Sequence, residues 1–253
     1  MRKKLLKFLY NPFKNRLLKL FLKTEYNTKR FEIEKDKKCL CLAPHPDDET
    51  IGMGGAILKY APQFDVICLT NGCYGIENLS KNKIIETRTQ EFISAMNFAG
   101  VNSYKILDVD DKHLIDGYQE FVNIDFSNYD YIFIPNYVDQ HRDHKAVSVH
   151  LYNLIKSNKN NLKKEATIIL YEVWSPLTFA NKCIDISDYI KSKKEMLQLY
   201  SSQMNEKPYY EATVGLAQYR GLLKKIDYAE AFYAMSINEF EETIKYLYED
   251  LIE

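Results

Sequence analysis

The stretch Ala43-Pro44-His45-Pro46-Asp47-Asp48-Glu49 decides the fold that this sequence predicts. It directly follows the apolar run Cys39 to Ala43, which has the composition of a buried strand. Each proline disfavours helix at the residue before it, so the chain is expected to leave this strand in an extended conformation. Glycines at positions 52, 54 and 55 then allow tight turning and close backbone approach before a helix near Gly55 to Ala61. The prediction is a strand, an acidic loop and a helix, with the loop at the edge where open α/β sheets bind ligands.

The rest of the chain continues this alternation of strands and helices. With 253 residues, 46% of them hydrophobic, the chain is long enough to bury a substantial core as one domain. Strands that alternate with helices form right-handed crossover units in a parallel sheet. We therefore predict an α/β fold, a Rossmann-like, mostly parallel sheet with helices on both faces, in a single domain over residues 38–253. The further predicted strands are 64–70, 104–107, 131–135 and 166–171, and the predicted helices are 81–99, one after His144, 187–200, 208–225 and 238–251.

Residues 1–37 are predicted to form a basic amphipathic arm and a linker. Met1 to Lys23 contains eight Lys or Arg and no acidic residue, although the formal net charge of the whole chain is -1. Leu and Phe gather on one side of a helix predicted after Asn11-Pro12, a pattern typical of segments that lie on an anionic membrane surface. The alternative is that the arm docks on the domain or on a second subunit, which would make a homo-oligomer. The acidic remainder of the chain argues against nucleic-acid binding.

The cysteines and the lack of a long apolar run bear on where the protein resides. Five cysteines form no CxxC pair, so we interpret them as free thiols in a reducing compartment. No apolar run approaches the roughly 20 residues of a membrane span, and the basic start lacks the features of a signal peptide. The expected location is the cytoplasm, with the arm giving peripheral contact to the inner face of the membrane as an option.

A second polar cluster, Asp139-Gln140-His141-Arg142-Asp143-His144, follows another predicted strand. Because parallel strands end at one edge of the sheet, the two clusters are expected to meet there. Imidazole nitrogen and carboxylate oxygen are the ligands of catalytic Zn²⁺, so the pattern predicts a hydrolytic metal site. A phosphate-binding loop is the competing interpretation, but Gly52-Met53-Gly54-Gly55 lacks the spacing and the lysine of such loops.

These motifs resemble those of the PIG-L/LmbE-like zinc deacetylases. Pro44 to Glu49 with Gly52 is similar to the family's A-H-P-D-D-E signature, and His141 to Val147 is similar to its H-P-D-H-R-A-V segment. The resemblance runs in the family's order from about Lys38 to Phe232. The sequence departs from the family at Pro44, at Arg142 and in the loop 108–114. Further matching residues are Arg88, Glu91, Ala95, Gly100, the segment Lys193 to Gln203, Arg220-Gly221 and Tyr228 to Phe232.

The resemblance implies a role for each residue of the predicted site. His45, Asp48 and His144 would bind one zinc ion, although another divalent metal is an alternative. Asp47 would be the general base, and His141 would stabilise the oxyanion or protonate the leaving amine. Glu49 is expected either to orient a metal-binding histidine or to anchor the loop. Arg88 and Asp111 would bind substrate, with a structural ion pair and an ordinary turn carboxylate as their respective alternatives.

The function that the resemblance implies is hydrolysis of the N-acetyl group from an N-acetylglucosamine-type amino sugar. The basic arm favours a lipid-linked substrate or an envelope glycan precursor at the membrane face. One alternative is a zinc amidase that acts on a larger acyl-amine or on a thiol conjugate. Another is a non-catalytic scaffold that the arm recruits to a membrane, although a scaffold has no need of Asp47.

Overall fold

The computed structural model describes residues 28–157, 161–204 and 209–248. Its centre is one eight-stranded sheet with the strand order β1-β7-β8-β6-β5-β2-β3-β4. The run from β6 to β4 is parallel throughout, whereas β8 pairs antiparallel with both β6 and β7. The strands are β1 (Lys29–Arg30), β2 (Cys39–Ala43), β3 (Phe64–Cys68), β4 (Ser103–Ile106), β5 (Tyr131–Pro135), β6 (Thr167–Tyr171), β7 (Lys182–Asp185) and β8 (Ala229–Ser236).

Helices cover both faces of the sheet, each over its own apolar core. One core lies under α1, α2, α5 and α7, with Phe64, Phe92 and Tyr171 among its largest side chains. The other lies under α3, α4 and α8, with Phe121 and Phe240. This confirms the predicted mostly parallel sheet with two helical layers. The helices are α1 (Asp48–Lys59), α2 (Lys81–Ala99), α3 (Tyr118–Val122), α4 (Arg142–Lys156), α5 (Ile190–Gln198), α6 (Ser201–Met204), α7 (Tyr209–Leu222) and α8 (Ile237–Leu247).

The order of the central strands places a topological switch point between β2 and β5. The chain runs from β2 to β3 and β4 on one side, then returns across β2 to form β5 and β6 on the other. Loops that follow two such strands diverge and leave a crevice at the carboxyl edge of the sheet. Both polar clusters of the sequence follow strands that border this crevice.

The first helix begins earlier than the glycines predict. It starts at Asp48, and its backbone is broken at Met53, which has φ of -149°. The glycines lie inside this helix because other segments of the same chain pack too closely against it to leave room for a side chain. A Cβ on Gly52 would lie 2.4 Å from the ring of Tyr171, and one on Gly55 would lie 2.7 Å from the side chain of Ile186. The glycines therefore have the close-approach role that the sequence allowed, whereas the helix begins before them, at Asp48, and not after a turn.

Two further differences concern the edge of the sheet that the sequence did not predict. The strands β7 and β8 were missed because β7 has only four residues and β8 lies between two predicted helices. The predicted boundary at residue 38 also falls inside the folded unit, since β1 pairs with β7 and Ile33 is buried in the core.

The arm over residues 1–27 lies outside the described residues. In the described part of the chain, no helix combines the length and the apolar character needed to cross a bilayer.

Candidate metal and catalytic site

The candidate site lies at the switch point and is built from two loops. The β2 loop, residues 44–47, connects β2 to α1, and the β5 loop, residues 136–141, connects β5 to α4. Direct pairing of β2 with β5 brings the ends of both loops together. The rings of His45 and His141 have their centroids 4.6 Å apart, and those of His141 and His144 are 5.1 Å apart. The structure therefore brings the two sequence clusters into one site.

Asp48 lies between the two histidines with which it was predicted to share a metal ion. Its Oδ2 is 3.0 Å from His45 Nδ1 and 3.2 Å from His144 Nε2. The backbone N–H of His45 also donates to this oxygen, at 2.9 Å. Asp48 is the first residue of α1 and His144 is in the first turn of α4, so two helix starts present these groups. Asp48 thus contacts both of the other predicted ligands, whose ring centroids are 5.5 Å apart.

Two further carboxylates contact the other nitrogen of His45. Asp143 Oδ2 lies 3.1 Å from His45 Nε2, and Asp111 Oδ1 lies 3.2 Å from the same atom. Asp143 also accepts hydrogen bonds from the backbone N–H groups of Lys112 (2.6 Å) and Leu114 (3.2 Å). It therefore ties the loop after β4 to the site. Sequence reasoning did not assign Asp143 a role, although it lies inside the second polar cluster.

Asp139 supports His144 and was likewise not assigned from the sequence. Its Oδ2 lies 3.3 Å from His144 Nδ1, and both side chains are fully buried. The backbone N–H groups of Trp174 and Ser175 donate to the same carboxylate, at 3.1 and 3.2 Å. Histidines that bind metals commonly present their second nitrogen to such a carboxylate. The spacing of five residues between Asp139 and His144 was the available signal.

The residues present fit a divalent metal ion. Asp48 Oδ1 and both ring nitrogens of His144 are buried and make no hydrogen bond of acceptable geometry within the described residues. Buried polar atoms without partners are costly unless a ligand satisfies them. Two groups have ligand atoms that all lie within 4.8 Å of one another, namely His45 with His141 and His144, and His45 with Asp111 and Asp143. The site thus contains a His/Asp group that could hold a metal.

The electrostatics of these groups are those of a cation site. Burial lowers the pKa of His144, but Asp48 and Asp139 outweigh it and raise this pKa to about 9. Burial likewise opposes the charge on His45, yet its bonds to Asp111, Asp143 and Asp48 hold its pKa well above the ordinary value. Burial raises the pKa of Asp48, but the two histidines lower it below its usual range. Without a metal, the two histidines hold protons beside the carboxylates. A bound metal cation would replace these protons.

Asp47, the predicted base, has a strained backbone that other residues hold in place. Its φ is 128°, in the region that non-glycine residues rarely adopt. Its backbone N–H donates to Glu49 Oε2 at 3.2 Å, and Glu49 also bonds the hydroxyl groups of Thr50 and Tyr200. Glu49 therefore anchors this loop, which is one of the two roles that the sequence left open. Burial and the charges of Asp48 and Glu49, opposed by Arg88, raise the pKa of Asp47 to about 7.

Arg88 is buried beneath the β2 loop. Its Nη2 donates to the carbonyl oxygen of Pro46 and lies 3.2 Å from Asp47 Oδ2, while its Nη1 is 3.5 Å from Glu91. Only 3% of its side chain is exposed. This placement favours the structural ion pair that the sequence left as the alternative to a substrate contact. Asp111, the other predicted substrate residue, lies against His45 instead of at an open rim.

The break in α1 is satisfied by a buried ion pair from distant elements. Glu230, on β8, accepts hydrogen bonds from the N–H groups of Gly55 (2.8 Å) and Ala56 (2.7 Å). Lys193, on α5, donates to the carbonyl oxygen of Ile51 at 3.0 Å and to Glu230 at 2.6 Å. These are the backbone groups that the break at Met53 leaves without helical partners. The pair therefore fixes the helix whose first residue is Asp48.

His141 has the orientation of a hydrogen-bond donor towards the site. It is the N-cap of α4, and its Nδ1 accepts a hydrogen bond from the N–H of Asp143 at 3.3 Å. A neutral ring that accepts at Nδ1 carries its proton on Nε2. Burial and the charges of His45 and His144 lower the pKa of His141, which favours this neutral form.

Comparison with known proteins gives a family match and several structural relatives. Residues 40–155 match the family PIG-L: GlcNAc-PI de-N-acetylase. A diacetylchitobiose deacetylase of Thermococcus kodakarensis is 36% identical over 83 residues, which span only 31% of this chain and 31% of that relative. The chain thus aligns with less than a third of this curated relative.

Solved structures share the fold over 79 to 95% of the chain. An N,N'-diacetylchitobiose deacetylase from Pyrococcus horikoshii has a TM-score of 0.69 and 23% identity, and the alignment covers 95% of this chain and 98% of that one. A 4-carboxy-2-hydroxymuconate hydratase from Pseudomonas putida has a TM-score of 0.60 and 18% identity, with 79% and 96% covered. The family match contains both loops of the site, and the signature residues of the sequence lie in the positions described above. Residues 40–155, which carry the site, are therefore similar to the PIG-L family.

Proposed function

We propose that this protein is a zinc-dependent hydrolase that removes the N-acetyl group from an N-acetylglucosamine-type amino sugar. The observation that carries this proposal is the contact of Asp48 with both His45 and His144, beside the strained Asp47. Amide hydrolysis adds water across the C–N bond and yields acetate and a free amine. It needs a proton acceptor for the water, a donor for the oxyanion and a proton for the leaving amine.

His45, Asp48 and His144 would hold the metal ion in this proposal. When bound, a divalent cation would polarise the carbonyl oxygen and the attacking water. Asp143 and Asp139 would orient the two histidines through the nitrogens that face them. Zn²⁺ suits a set of two imidazoles and one carboxylate, and other divalent metals accept the same donors.

Asp47 and His141 would transfer the protons. With a pKa near 7, the carboxylate of Asp47 is partly ionised at neutral pH and suits a proton acceptor. Its backbone geometry and Arg88 fix its position beside the ligands. The Nε2–H of His141 would donate to the oxygen that becomes negative when water adds to the amide. The proton that Asp47 accepts would then pass to the leaving nitrogen.

The site, and not the fold, supports this reaction over others. A hydratase shares the architecture, so the strand order alone does not select a reaction class. The deacetylases of Thermococcus kodakarensis and Pyrococcus horikoshii are named for an acetylated disaccharide, which supports an acetylated amino sugar as the substrate class.

We also propose that the basic arm, residues 1–23, contacts an anionic membrane surface, because it contains eight Lys or Arg and no acidic residue.

The test is a screen of N-acetylated amino sugars with detection of released acetate. The purified chain would be stripped of metal with a chelator and then supplied with one divalent ion at a time, with elemental analysis of the protein as isolated. We expect acetate release that requires the metal and that is highest with zinc. If the zinc-loaded protein released no acetate from any N-acetylglucosamine derivative, the proposal would be rejected.

A further inference from the structure

A cavity of about 250 Å³ lies beside the candidate site, between α1, α7 and the chain that follows β6. Its lining is mostly apolar and includes Ile51, Gly52, Trp174, Tyr209, Leu216 and Ala217. None of these residues has a part in the chemistry described above. The cavity is larger than the apolar cavity of roughly 150 Å³ that is known to hold benzene. It has the volume for a short alkyl chain or an aromatic group.

Two backbone contacts connect this cavity to the catalytic groups. The N–H of Ile51 donates to the carbonyl oxygen of Asp47 at 2.8 Å, so the cavity wall is one helical turn from the proposed base. The N–H of Trp174 donates to Asp139 at 3.1 Å, and Asp139 contacts His144. The cavity wall therefore lies one helical turn from Asp47 and one hydrogen bond from the carboxylate that contacts His144.

The charged side chains in the cavity wall are already neutralised. Lys193 and Glu230 form an ion pair of 2.6 Å and bond the broken backbone of α1. Glu172 pairs with Arg220 and also accepts a hydrogen bond from the N–H of Leu177, at 2.7 Å. Because these charges are buried and committed to one another, a charged ligand would lose its hydration without gaining a partner. The cavity therefore suits an uncharged apolar group.

Two aromatic rings form the entrance. The ring of Trp174 lies 4.7 Å from that of Tyr209, and Trp174 remains 41% exposed. A large aromatic side chain left this accessible beside a cavity provides apolar contact area for an incoming ligand. Trp174 is also the only tryptophan in the sequence, so tryptophan fluorescence reports on this entrance alone.

We propose that this cavity binds an uncharged alkyl or aryl group of the substrate, next to the amide that the site hydrolyses. The inference rests on the proposed function for the identity of the amide, but the binding itself does not. Such a group has two sources, the aglycone of the amino sugar or a long acyl chain on its nitrogen. The shared chemistry is an apolar chain that enters past the contacting rings of Trp174 and Tyr209.

Binding is tested first without any reaction. Hexyl glucoside, which has no amide, would be titrated into the full-length protein while the emission of Trp174 is followed, with methyl glucoside as the control ligand. We expect a saturable blue shift with hexyl glucoside and none with methyl glucoside. The variant Ala212→Phe, which narrows the cavity from the exposed side of α7, should weaken binding at least tenfold.

A matched variant controls for the added ring. Gln218→Phe introduces the same side chain at an exposed position of α7 outside the cavity lining, and it should bind as the parent protein does. The absence of any shift with hexyl glucoside would overturn the inference. Equal affinities of the two phenylalanine variants would also overturn it. Neither result depends on acetate release, so failure here is distinguishable from failure of the proposed function.

Kinetics then identify the source of the apolar group. First, the kcat/KM for the hexyl glycoside of N-acetylglucosamine would be compared with the kcat/KM for its methyl glycoside. Second, the kcat/KM for the methyl glycoside that carries an N-hexanoyl group would be compared with the kcat/KM for the one that carries an N-acetyl group. A preference of tenfold or more for the hexyl glycoside assigns the cavity to the aglycone, whereas a preference for N-hexanoyl assigns it to the acyl chain. Ala212→Phe should reduce whichever preference is found. No preference in either series would contradict the inference.

Discussion

The β2 loop and the β5 loop carry the same kinds of residue to the same crevice, yet they are built in different ways. The β5 loop ends at His141, an N-cap with an ordinary extended backbone whose side chain accepts from Asp143 N–H. The β2 loop ends at Asp47, an N-cap with φ of 128° and no side-chain cap bond, and it leads into a helix that is broken at Met53. One loop follows the usual rules of a helix start, and the other departs from them.

The two loops are stabilised by different sets of contacts. A strained backbone costs of order 1 to 3 kcal/mol and persists only when its surroundings hold it. For the β2 loop these surroundings are Arg88 from α2, Glu49 and the buried pair of Lys193 and Glu230. The β5 loop is held mainly by Asp139, one of its own residues, and by Trp174 and Ser175, whose N–H groups donate to that carboxylate. The loop that carries the proposed base therefore depends on α2, α5 and β8, whereas the other depends on its own Asp139 and on the chain that follows the strand β6.

Replacing Asp47 should have the largest effect of any change in the two loops. In Asp47→Asn the shape is kept, but the side chain no longer accepts a proton at neutral pH. We expect kcat for deacetylation to fall about 10²- to 10⁴-fold, the usual contribution of a general base. Metal content should be unchanged, because Asp47 is not a proposed ligand.

Steady-state kinetics and elemental analysis of Asp47→Asn would be run together with Asp108→Asn, a control at an exposed carboxylate. A variant at residue 47 with undiminished kcat would show that the strained position does not hold the base. The strained backbone of the β2 loop would then have no link to catalysis.

Breaking the remote support of the β2 loop should cost the most stability. Lys193→Met leaves Ile51 O without its donor and Glu230 without its cation, and removal of one partner of a buried ion pair typically costs about 3 to 5 kcal/mol. Urea unfolding would measure the change. Lys194→Met, at a position that the fold leaves more exposed, should stay within about 0.5 kcal/mol of the parent.

The double variant Lys193→Met/Glu230→Gln sharpens this test. It removes the uncompensated buried charge, so part of the lost free energy of unfolding should return. A single variant at Lys193 as stable as the parent would mean that the broken helix does not rely on this pair.

Removing the local support of the β5 loop should have a smaller effect that falls on metal binding. Asp139→Asn keeps the shape of the side chain but removes the negative charge beside His144 Nδ1. Loss of such a partner usually lowers metal affinity about 10- to 100-fold. Competition with a chromophoric chelator would measure it, with Asp116→Asn at an exposed carboxylate as the control. Unchanged affinity for zinc would show that Asp139 does not orient a ligand.

The smallest effect concerns pH and the helix that follows the β5 loop. His150, on α4, is buried, and its Nε2 lies 2.6 Å from Leu114 O. Burial lowers its pKa below the ordinary value of 6.5. The unfolded chain therefore binds a proton more readily than the folded protein as the pH falls below that value. This residue makes stability rise with pH up to about 6.5, by at most about 1.4 kcal/mol per pH unit.

The variant His150→Gln should flatten this dependence. Urea unfolding of the parent and the variant at pH 7.0 and 5.5 would show a smaller loss on acidification in the variant. An equal loss in both proteins would mean that His150 does not contribute to the pH dependence of folding.

Much of the fold and the ligand pattern could be predicted because the signals are local. Both β2 and β5 are apolar runs that polar residues follow directly. This pattern alone places the two loops at one edge of a parallel sheet. The long helix was predicted at 81–99 and found at Lys81–Ala99, since its pattern extends over many turns. The short strand β7 and the strand β8 offered no comparable pattern and were missed.

The supporting residues could not be predicted because their partners are far away in sequence. Nothing in the composition around Lys193 or Glu230 indicates that both reach the backbone of α1, which is more than a hundred residues away. Arg88 matched a family motif, yet its burial under Pro46 follows only from the packing of α2 against the β2 loop. The same holds for the cavity between Trp174 and α7.

Residue types and spacings alone were enough to predict a mostly parallel sheet, two polar clusters that meet at one of its edges, and a resemblance to the PIG-L family. These follow from residue types and spacings, which fix the local structure and the ends of parallel strands. The tertiary structure decided how the donors are held: that Asp47 is strained, that Arg88 supports it from below, and that a neutralised apolar cavity lies beside the amide site. The physical reason is that strain, burial and charge compensation arise from contacts between distant segments, which a linear pattern does not specify.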